Sequence, residues 1–250
     1  MAGDRDAFLS RVRDAAARAR HYPVRVVEDF SPTVGYVGGG PDVVARLAAE
    51  FEAVGGIVHL ATSVDEVRCA IQSILANVRS SPTRTAGPAG QGLPEGTTAP
   101  PIAIRWQHPL LDRIDLDSVL EVTGFSAVSC LEREPADADP RNDRLFAAAV
   151  GISSVDWAVA ETGSLVVAAR PGQSRSASLL PPVHIAVVER NQIVPDVFDL
   201  FEELASEVVP SSVVLVTGPS KTGDIELKLT TGVHGPGEVH LVILDHDRLA

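Results

Sequence analysis

The first residues that could carry chemistry lie in the segment 160–164, which has the sequence Ala-Glu-Thr-Gly-Ser between two apolar runs. The Thr162-Gly163 pair favours a tight turn, so Glu161 is expected at the end of a strand. A carboxylate in that position can act as a base, a nucleophile or a hydrogen-bond acceptor for a ligand. The alternative is a turn residue whose hydrogen bonds are satisfied within the protein.

A second group is the segment 217–222, Thr-Gly-Pro-Ser-Lys-Thr, between an apolar run and a stretch interpreted as helical. Backbone N–H groups around Gly218, with the positive end of the following helix, suit a phosphate or carboxylate. Lys221 and the hydroxyls of Ser220 and Thr222 add hydrogen-bond donors. The glycine spacing excludes a Walker A ATPase loop. Simple helix capping by one of the two hydroxyls is the alternative.

A third group places His234 on a turn built from three glycines and a proline, residues 232–237. Its imidazole could serve as an acid–base group or contact a ligand; a structural or solvated loop histidine is the alternative. Arg175, in the polar loop 171–178, could bind a carboxylate through two hydrogen bonds or be a plain surface charge.

The elements that must position these groups are strands and helices in alternation. The second half contains continuous apolar runs, as expected of strands covered on both faces. They span residues 155–160, 164–169, 184–189, 212–217 and 238–244. Helical patterns at 196–209 and 224–231 separate the last three runs. This order predicts an α/β fold with a mostly parallel, doubly covered sheet that binds ligands outside the C-terminal ends of its strands.

The first half shows the same alternation. Helices are predicted over residues 41–56, 63–78, 110–119 and 141–151, and strands over 57–60 and 101–106. Residues 1–250 are expected to form one domain with a helical extension at 1–30, whose start favours an amphipathic surface helix over a transit peptide. Residues 80–101 contain five prolines and four glycines, which predicts a mobile surface loop.

Composition excludes several classes of function. The 250 residues include 33 acidic and 21 basic side chains, a formal charge of −12, which argues against sequence-independent nucleic-acid binding. The two cysteines, Cys69 and Cys130, are too few for a thiolate zinc site or an iron–sulfur cluster and fit a reducing cytoplasm. No apolar stretch is long enough to span a membrane. The Asp245-His246-Asp247 triplet is better explained as a fraying end than as a metal site.

Three ordered blocks of this sequence resemble the LUD, or lactate-utilisation, domain family and, within it, the LutC/YkgG branch. The blocks are residues 151–167, 178–199 and 217–244. The resemblance covers the C-terminal part densely and the first half loosely. It implies a fold similar to the NagB/RpiA/CoA-transferase-like group. The family usually has alanine at the position of Gly223, a difference that leaves the donors of the preceding loop intact.

The resemblance implies a subunit of a multi-protein complex that oxidises L-lactate to pyruvate. Partner subunits would carry the iron–sulfur clusters, while this chain would bind no cofactor, only a small carboxylate or other anion. The candidate catalytic residues are Glu161 and His234. The candidate ligand-binding residues are Thr162, Gly163, Arg175, Gly218, Ser220, Lys221 and Thr222. We expect the loops that carry them to meet at one rim.

Two other functions remain open at this point. One is a free-standing acyl- or CoA-transferase with Glu161 as nucleophile. The Glu-Thr-Gly order is similar to the Glu-x-Gly sequence around the nucleophile of CoA-transferases of similar fold, which is an analogy at the level of the fold. The other is a regulatory ligand-binding module without chemistry of its own.

Overall fold

The structure, a computed structural model, describes residues 2–19, 35–80, 100–129, 144–206, 210–223, 229–231 and 235–246. The chain divides into two compact units, residues 1–36 and 37–250. In the first unit, helix α1 (Ala2–Ala19) confirms the helix expected at the N-terminus. Most of the loop predicted at 80–101 lies outside the described residues.

The second unit is built on six parallel strands. They are β1 (Ile57–Ala61), β2 (Ile102–Arg105), β3 (Ser126–Ser129), β4 (Ala148–Ser153), β7 (Val183–Glu189) and β12 (Glu238–Leu244). Their order across the sheet is β1-β12-β7-β4-β2-β3, and every neighbouring pair is parallel. The predicted α/β class with a parallel sheet is confirmed.

A second, mixed sheet packs beside the first. It contains β5 (Trp157–Val159), β6 (Ser164–Ala168), β8 (Ile193–Val194) and β9 (Val213–Val216), in the order β8-β5-β6-β9. Strands β5 and β6 form an antiparallel hairpin, and β9 pairs antiparallel with β6. A short antiparallel pair, β10 (Lys221–Gly223) and β11 (Leu229–Thr231), follows. Three of the runs that the sequence marks as strands therefore belong to this smaller sheet rather than to the parallel one.

The helices of this unit cover both faces of the parallel sheet. They are α2 (Val43–Ala53), α3 (Val64–Ser80), α4 (Pro109–Arg113), α5 (Leu116–Thr123), α6 (Ser176–Leu179) and α7 (Val197–Ser206). Alternate residues of β7 separate the two layers. Ile185 and Val187 belong to the apolar cluster that contains α3 and α5. Ala186 and Val188 belong to the cluster that contains α2 and the second sheet. The sheet is doubly covered, as predicted.

Two predicted helices differ from the structure. The segment 141–151 was expected to be helical and to end at Gly151, but of its described residues only 144–146 are helical, and residues 148–153 form β4 at the centre of the sheet. A side chain on Gly151 would start 1.7 Å from the Ala177 carbonyl oxygen, so this glycine permits the close approach of α6 rather than ending a helix. The helix expected over 224–231 is also wrong, because residues 229–231 pair as β11 with β10; residues 224–228 lie outside the described part.

The helix expected over 110–119 is two helices. Asp115, between α4 and α5, has φ 50°, in the left-handed region, and interrupts the continuous helix that the apolar spacing favours. Strand β3, which the sequence analysis missed, follows α5 directly. These short elements bring the start of α4 next to the end of β2.

Candidate functional sites

One group of predicted site residues gathers where the β5–β6 hairpin turns. The Thr162 hydroxyl donates to Ser164 Oγ at 2.8 Å, and Ser164 Oγ lies 2.7 Å from Thr217 Oγ1. Lys221 donates from Nζ to the Val54 carbonyl oxygen at 2.6 Å, at the end of α2. We call Glu161, Thr162, Ser164, Thr217 and Lys221 the turn-end cluster.

The Glu-Thr-Gly block within this cluster has clear packing contacts. Gly163 has φ 62°, and a Cβ built on it would lie 2.6 Å from both the Glu50 carbonyl carbon and the Phe51 nitrogen of α2. The Glu161 carboxylate accepts a hydrogen bond from the Val197 N–H, at the start of α7, at 3.5 Å. Both contacts hold the hairpin against helices, which gives the block a structural role that requires no ligand.

The loop 218–221 packs on the end of α2. Gly218 has φ 81°, and a Cβ there would be 2.9 Å from Val54 Cγ2. The Ser220 N–H donates to the Pro236 carbonyl oxygen at 2.8 Å. Lys221 already belongs to β10, so the loop does not lead directly into the helix start that was expected to strengthen an anion site. Of the groups expected to bind an anion, the exposed Lys221 ammonium is still available. It donates one proton to the Val54 carbonyl oxygen and has two others for a ligand.

For two candidate residues of this region the structure describes no side-chain position. The position of His234 is not described, nor is the side chain of Thr222, although the backbone of the latter lies in β10. A Cβ built on Gly235 would be 3.4 Å from Ser220 Cβ, so the described loop 235–237 borders the loop 218–221.

Arg175 is not brought to the turn-end cluster. Its Nη1 donates to Ser212 Oγ at 3.4 Å, and Ser212 precedes β9. Thr217 follows β9, so five residues of extended chain, about 16 Å, separate the two positions. The common rim expected from the sequence is therefore divided between opposite ends of β9.

A second candidate site lies at the carboxyl edge of the parallel sheet. From β2 the chain moves outward to β3, whereas from β4 it moves the other way, to β7 and β12. In open parallel sheets, ligands bind outside the carboxyl ends of the strands at such a reversal. In this sheet that point lies between the ends of β2 and β4, next to His108 and Asp156. The sequence marks Asp156, which with Trp157 was expected to place one side chain in a polar crevice, but it does not mark His108.

Ion pairs lie along this edge of the sheet. Arg105, 8% exposed, donates to Asp117 Oδ2 at 2.5 Å and to Asp112 Oδ1 at 2.6 Å. Burial disfavours its charge, but the hydrogen bonds to both carboxylates outweigh burial, so the pKa of Arg105 lies above its ordinary value. With Gln107 and Ser129, these side chains line a cavity of 510 Å³ at the ends of β2 and β3.

Further pairs continue along the same edge. Arg113 donates to Glu189, and Arg170 Nε lies 2.8 Å from Asp156 Oδ1. Arg190 Nη1 lies 3.1 Å from Asp245 Oδ2, beside a cavity of 410 Å³ at the ends of β7 and β12. Because β4 lies between β7 and β2, the Arg113–Glu189 pair spans the end of β4.

His108 occupies the middle of this edge. Its Nδ1 accepts the Leu110 N–H at 3.2 Å and so caps α4. Burial is the main cause that lowers the pKa of His108; the carboxylates of Asp156, Asp112 and Glu189 oppose it, and Arg113 adds to it. The ring is therefore neutral at pH 7.

Two further observations concern the described residues only. They hold no group of three or more His, Cys, Asp or Glu side chains arranged to bind a metal ion. Within the same ranges, every helix is too short or too polar to cross a bilayer.

Comparison with known proteins defines the class. The family profile described as LUD domain matches residues 44–244, which is most of the chain. The chain therefore belongs to the LUD domain family.

Two similar proteins are both named Lactate utilization protein C. The one from Halalkalibacterium halodurans is 31% identical over 147 residues, covering 57% of this chain and 62% of that protein. The one from Macrococcus caseolyticus is 40% identical over 101 residues, covering 38% and 44%. The matched region spans less than two thirds of either relative. A crystal structure of a DUF162 family protein from Deinococcus radiodurans has 20% identity and a TM-score of 0.49, covering 81% of this chain and 96% of that one.

Proposed function

We propose that this chain is a subunit of a multi-protein complex that oxidises L-lactate to pyruvate, with the iron–sulfur clusters on partner subunits. The observation that carries the proposal is the LUD domain match over residues 44–244, together with the names of the two relatives. The small number of cysteines supports placing the iron–sulfur clusters on partner subunits. Cys69 is exposed on α3, and with Cys130 it makes only two thiols in the sequence, whereas iron–sulfur clusters are typically held by four.

The expected result of an affinity pull-down from lactate-grown native extract is co-purification of this chain with iron-bearing proteins. The eluate should contain iron and acid-labile sulfide as long as the partner proteins are present. Both should be lost when high salt removes the partners from the tagged chain. The same tag without the chain is the control. A tagged chain that elutes alone, without iron, would contradict the subunit role.

The proposal includes a small carboxylate or other anion bound at Lys221. The ammonium is exposed and commits one proton to the Val54 carbonyl oxygen, so two protons are left for a ligand. The Ser164–Thr217 hydroxyl pair adds polar groups at the same end of the second sheet.

Replacing Lys221 with Met should weaken binding of pyruvate, L-lactate or inorganic phosphate about tenfold or more, because a charge-assisted hydrogen bond is lost. Lys221→Arg keeps the charge and should retain most of the affinity. Isothermal titration of the full chain measures both variants. Equal affinity of Lys221→Met and the parent for all three anions would remove this site.

The two alternative functions stay predictions. A transferase with Glu161 as nucleophile should form a covalent thioester at that residue, which mass spectrometry after borohydride or hydroxylamine treatment detects. The contacts of Glu161 and Gly163 with α7 and α2 account for the Glu-Thr-Gly block without such chemistry. A regulatory module would bind the same small acids without assembling with iron-bearing proteins.

A further inference from the structure

We propose that His59 and His240 bind a divalent transition-metal cation between their rings, at the edge of the parallel sheet where β1 pairs with β12. The cation would contact Nε2 of His59 and Nδ1 of His240, and Glu238 would hold His240 in position. Water completes the coordination, because the described residues offer no group of three metal-binding side chains. This inference departs from the expectation that the chain binds no cofactor, and it does not depend on the lactate-oxidising complex.

The Glu238 carboxylate determines which nitrogen of His240 can bind a cation. Nε2 of His240 lies 2.7 Å from Glu238 Oε1, and an ionised carboxylate only accepts hydrogen bonds, so Nε2 carries the proton of the neutral ring. Nδ1 of His240 therefore presents its lone pair to His59. Histidines that bind metals usually donate their other N–H to such an acceptor, which fixes the ring and makes the imidazole a better ligand.

The second nitrogen comes from His59, on the neighbouring strand. Its Nε2 lies 3.1 Å from Nδ1 of His240 and donates a hydrogen bond to it. No described residue bonds to the other ring nitrogen of His59, Nδ1. The proton can therefore move to Nδ1 without breaking a further contact, which leaves the lone pair of Nε2 for a cation. No proton is released, since both tautomers are neutral.

The distances between the two rings are close to those of two ligands on one cation. Zinc–nitrogen bonds measure about 2.0–2.1 Å, so two imidazoles on a tetrahedral zinc ion have their nitrogens about 3.3 Å apart and their ring centres about 5.2 Å apart. The nitrogens of His59 and His240 are 3.1 Å apart, and their ring centres 5.3 Å. Shifts of a few tenths of an ångström, with a small rotation of each ring, admit the cation.

The strands place both histidines on one face of the sheet. His240 pairs with Ile57, and His59 pairs with Val242, so the two histidines are diagonal neighbours in the parallel register. His240 is 6% exposed, whereas His59 is half-buried on the last strand of the sheet, where ions and water can reach the pair. Imidazole nitrogens suit Zn²⁺, Cu²⁺ or Ni²⁺, whereas Mg²⁺ and Ca²⁺ prefer oxygen ligands. The site therefore selects a cation of the zinc type.

Isothermal titration with ZnCl₂ and with MgCl₂ tests this site in the full chain, without a histidine tag and after dialysis against a chelator. We expect one zinc ion per chain and no binding of magnesium. His59→Gln removes one of the two protein ligands and should weaken zinc binding about tenfold to a hundredfold, at least as much as loss of a supporting carboxylate does. Glu238→Gln removes that carboxylate and should weaken binding about tenfold.

His246→Gln is the matched control. It removes an exposed histidine just beyond β12, within the Asp245-His246-Asp247 triplet, and should leave zinc binding unchanged. Electron paramagnetic resonance of the chain loaded with Cu²⁺ gives a second readout. The copper signal should show splitting from two imidazole nitrogens in the parent and in Glu238→Gln, but from one nitrogen in His59→Gln.

The proposal is overturned if the parent does not bind zinc with a Kd below about 1 mM, or if His59→Gln, folded by circular dichroism, binds zinc as tightly as the parent. A loss of affinity in His246→Gln would also overturn it, because the ion would then lie at residues 245–247. A copper signal with fewer than two imidazole nitrogens in the parent is a further contradiction, and this measurement needs no substitution.

Discussion

Acidification from pH 7.5 to pH 4 should lower the free energy of unfolding by about 3 kcal/mol through His184 alone. This histidine lies on β7 and is completely buried. Its Nε2 is 2.8 Å from Ser153 Oγ, and no described residue gives its Nδ1 a hydrogen-bond partner. Burial, and secondarily the positive charge that His240 can carry, lowers the pKa of His184 to about 4.

The direction of this pH effect follows from the protonation of His184 in the unfolded and the folded chain. In the unfolded chain the imidazole titrates near pH 6.5, whereas in the folded protein it stays neutral until about pH 4. Above pH 6.5 both states are neutral and His184 does not change stability with pH. Between pH 6.5 and pH 4 only the unfolded chain gains the proton, so stability falls as the pH falls. Below pH 4 both states are protonated and the loss levels off.

Urea unfolding of the parent and of His184→Gln at pH 7.5 and pH 4 measures this effect. Glutamine retains a hydrogen-bonding group for Ser153 but does not titrate. The variant should lose about 3 kcal/mol less than the parent on acidification, whatever its stability at pH 7.5. Burial also lowers the pKa values of His59 and His108, and the difference between parent and variant removes their contribution. Equal losses in both proteins would mean that the pKa of His184 is the same in the folded and the unfolded chain.

Most of the parallel sheet could be predicted from sequence because its strands are apolar on both faces. The runs 184–189 and 238–244 correspond to β7 and β12 almost residue for residue. Periodicity could not assign the runs at 157–159, 164–168 and 213–216 to a separate sheet, because the same residue types suit a buried strand in either place. The assignment depends on long-range pairing, such as that of β6 with β9.

The helix prediction for the segment 141–151 differs from the structure for another reason. Its three consecutive alanines favour a helix locally, but Val150 and Ile152 are buried in the centre of the sheet. Tertiary packing outweighs helix propensity, which amounts to less than about 1 kcal/mol per residue. Gly151 contributed to the error, since a glycine that permits close packing looks the same in a sequence as one that ends a helix.

Ligand binding outside the carboxyl ends of the strands could be predicted from sequence, but the residues that meet at that edge could not. Arg113 and Glu189 are 76 positions apart and belong to no common pattern. Conversely, the motif residues Arg175 and Lys221 lie 46 positions apart and were assigned to one rim, but β9 holds their loops at opposite ends. Strand direction decides which loops meet, and loop composition carries no information about it. Only the order of the strands locates the reversal beside His108.

A substitution at Gly163, within the turn that carries the turn-end cluster, distinguishes a packing role of the Glu-Thr-Gly block from a ligand-binding role. Gly163→Ala should lower the free energy of unfolding by about 3 kcal/mol. A left-handed backbone costs a non-glycine residue about 1 kcal/mol or more, and the new methyl group, 2.6 Å from backbone atoms of α2, adds about 1–3 kcal/mol. Thermal or urea unfolding measures the loss.

Gly40→Ala is the matched control. Gly40 has φ 70°, close to the 62° of Gly163, but a Cβ there meets no atom of the described residues within 4 Å. This variant should lose only the backbone contribution, about 1 kcal/mol. The difference between the two variants then isolates the contact of the hairpin with α2. A different result would contradict this structural explanation: Gly163→Ala is no less stable than Gly40→Ala, yet it no longer binds small anions. The glycine would then be required for ligand binding rather than for packing. The Glu-Thr-Gly block would have a functional role that its contacts with α2 and α7 do not account for.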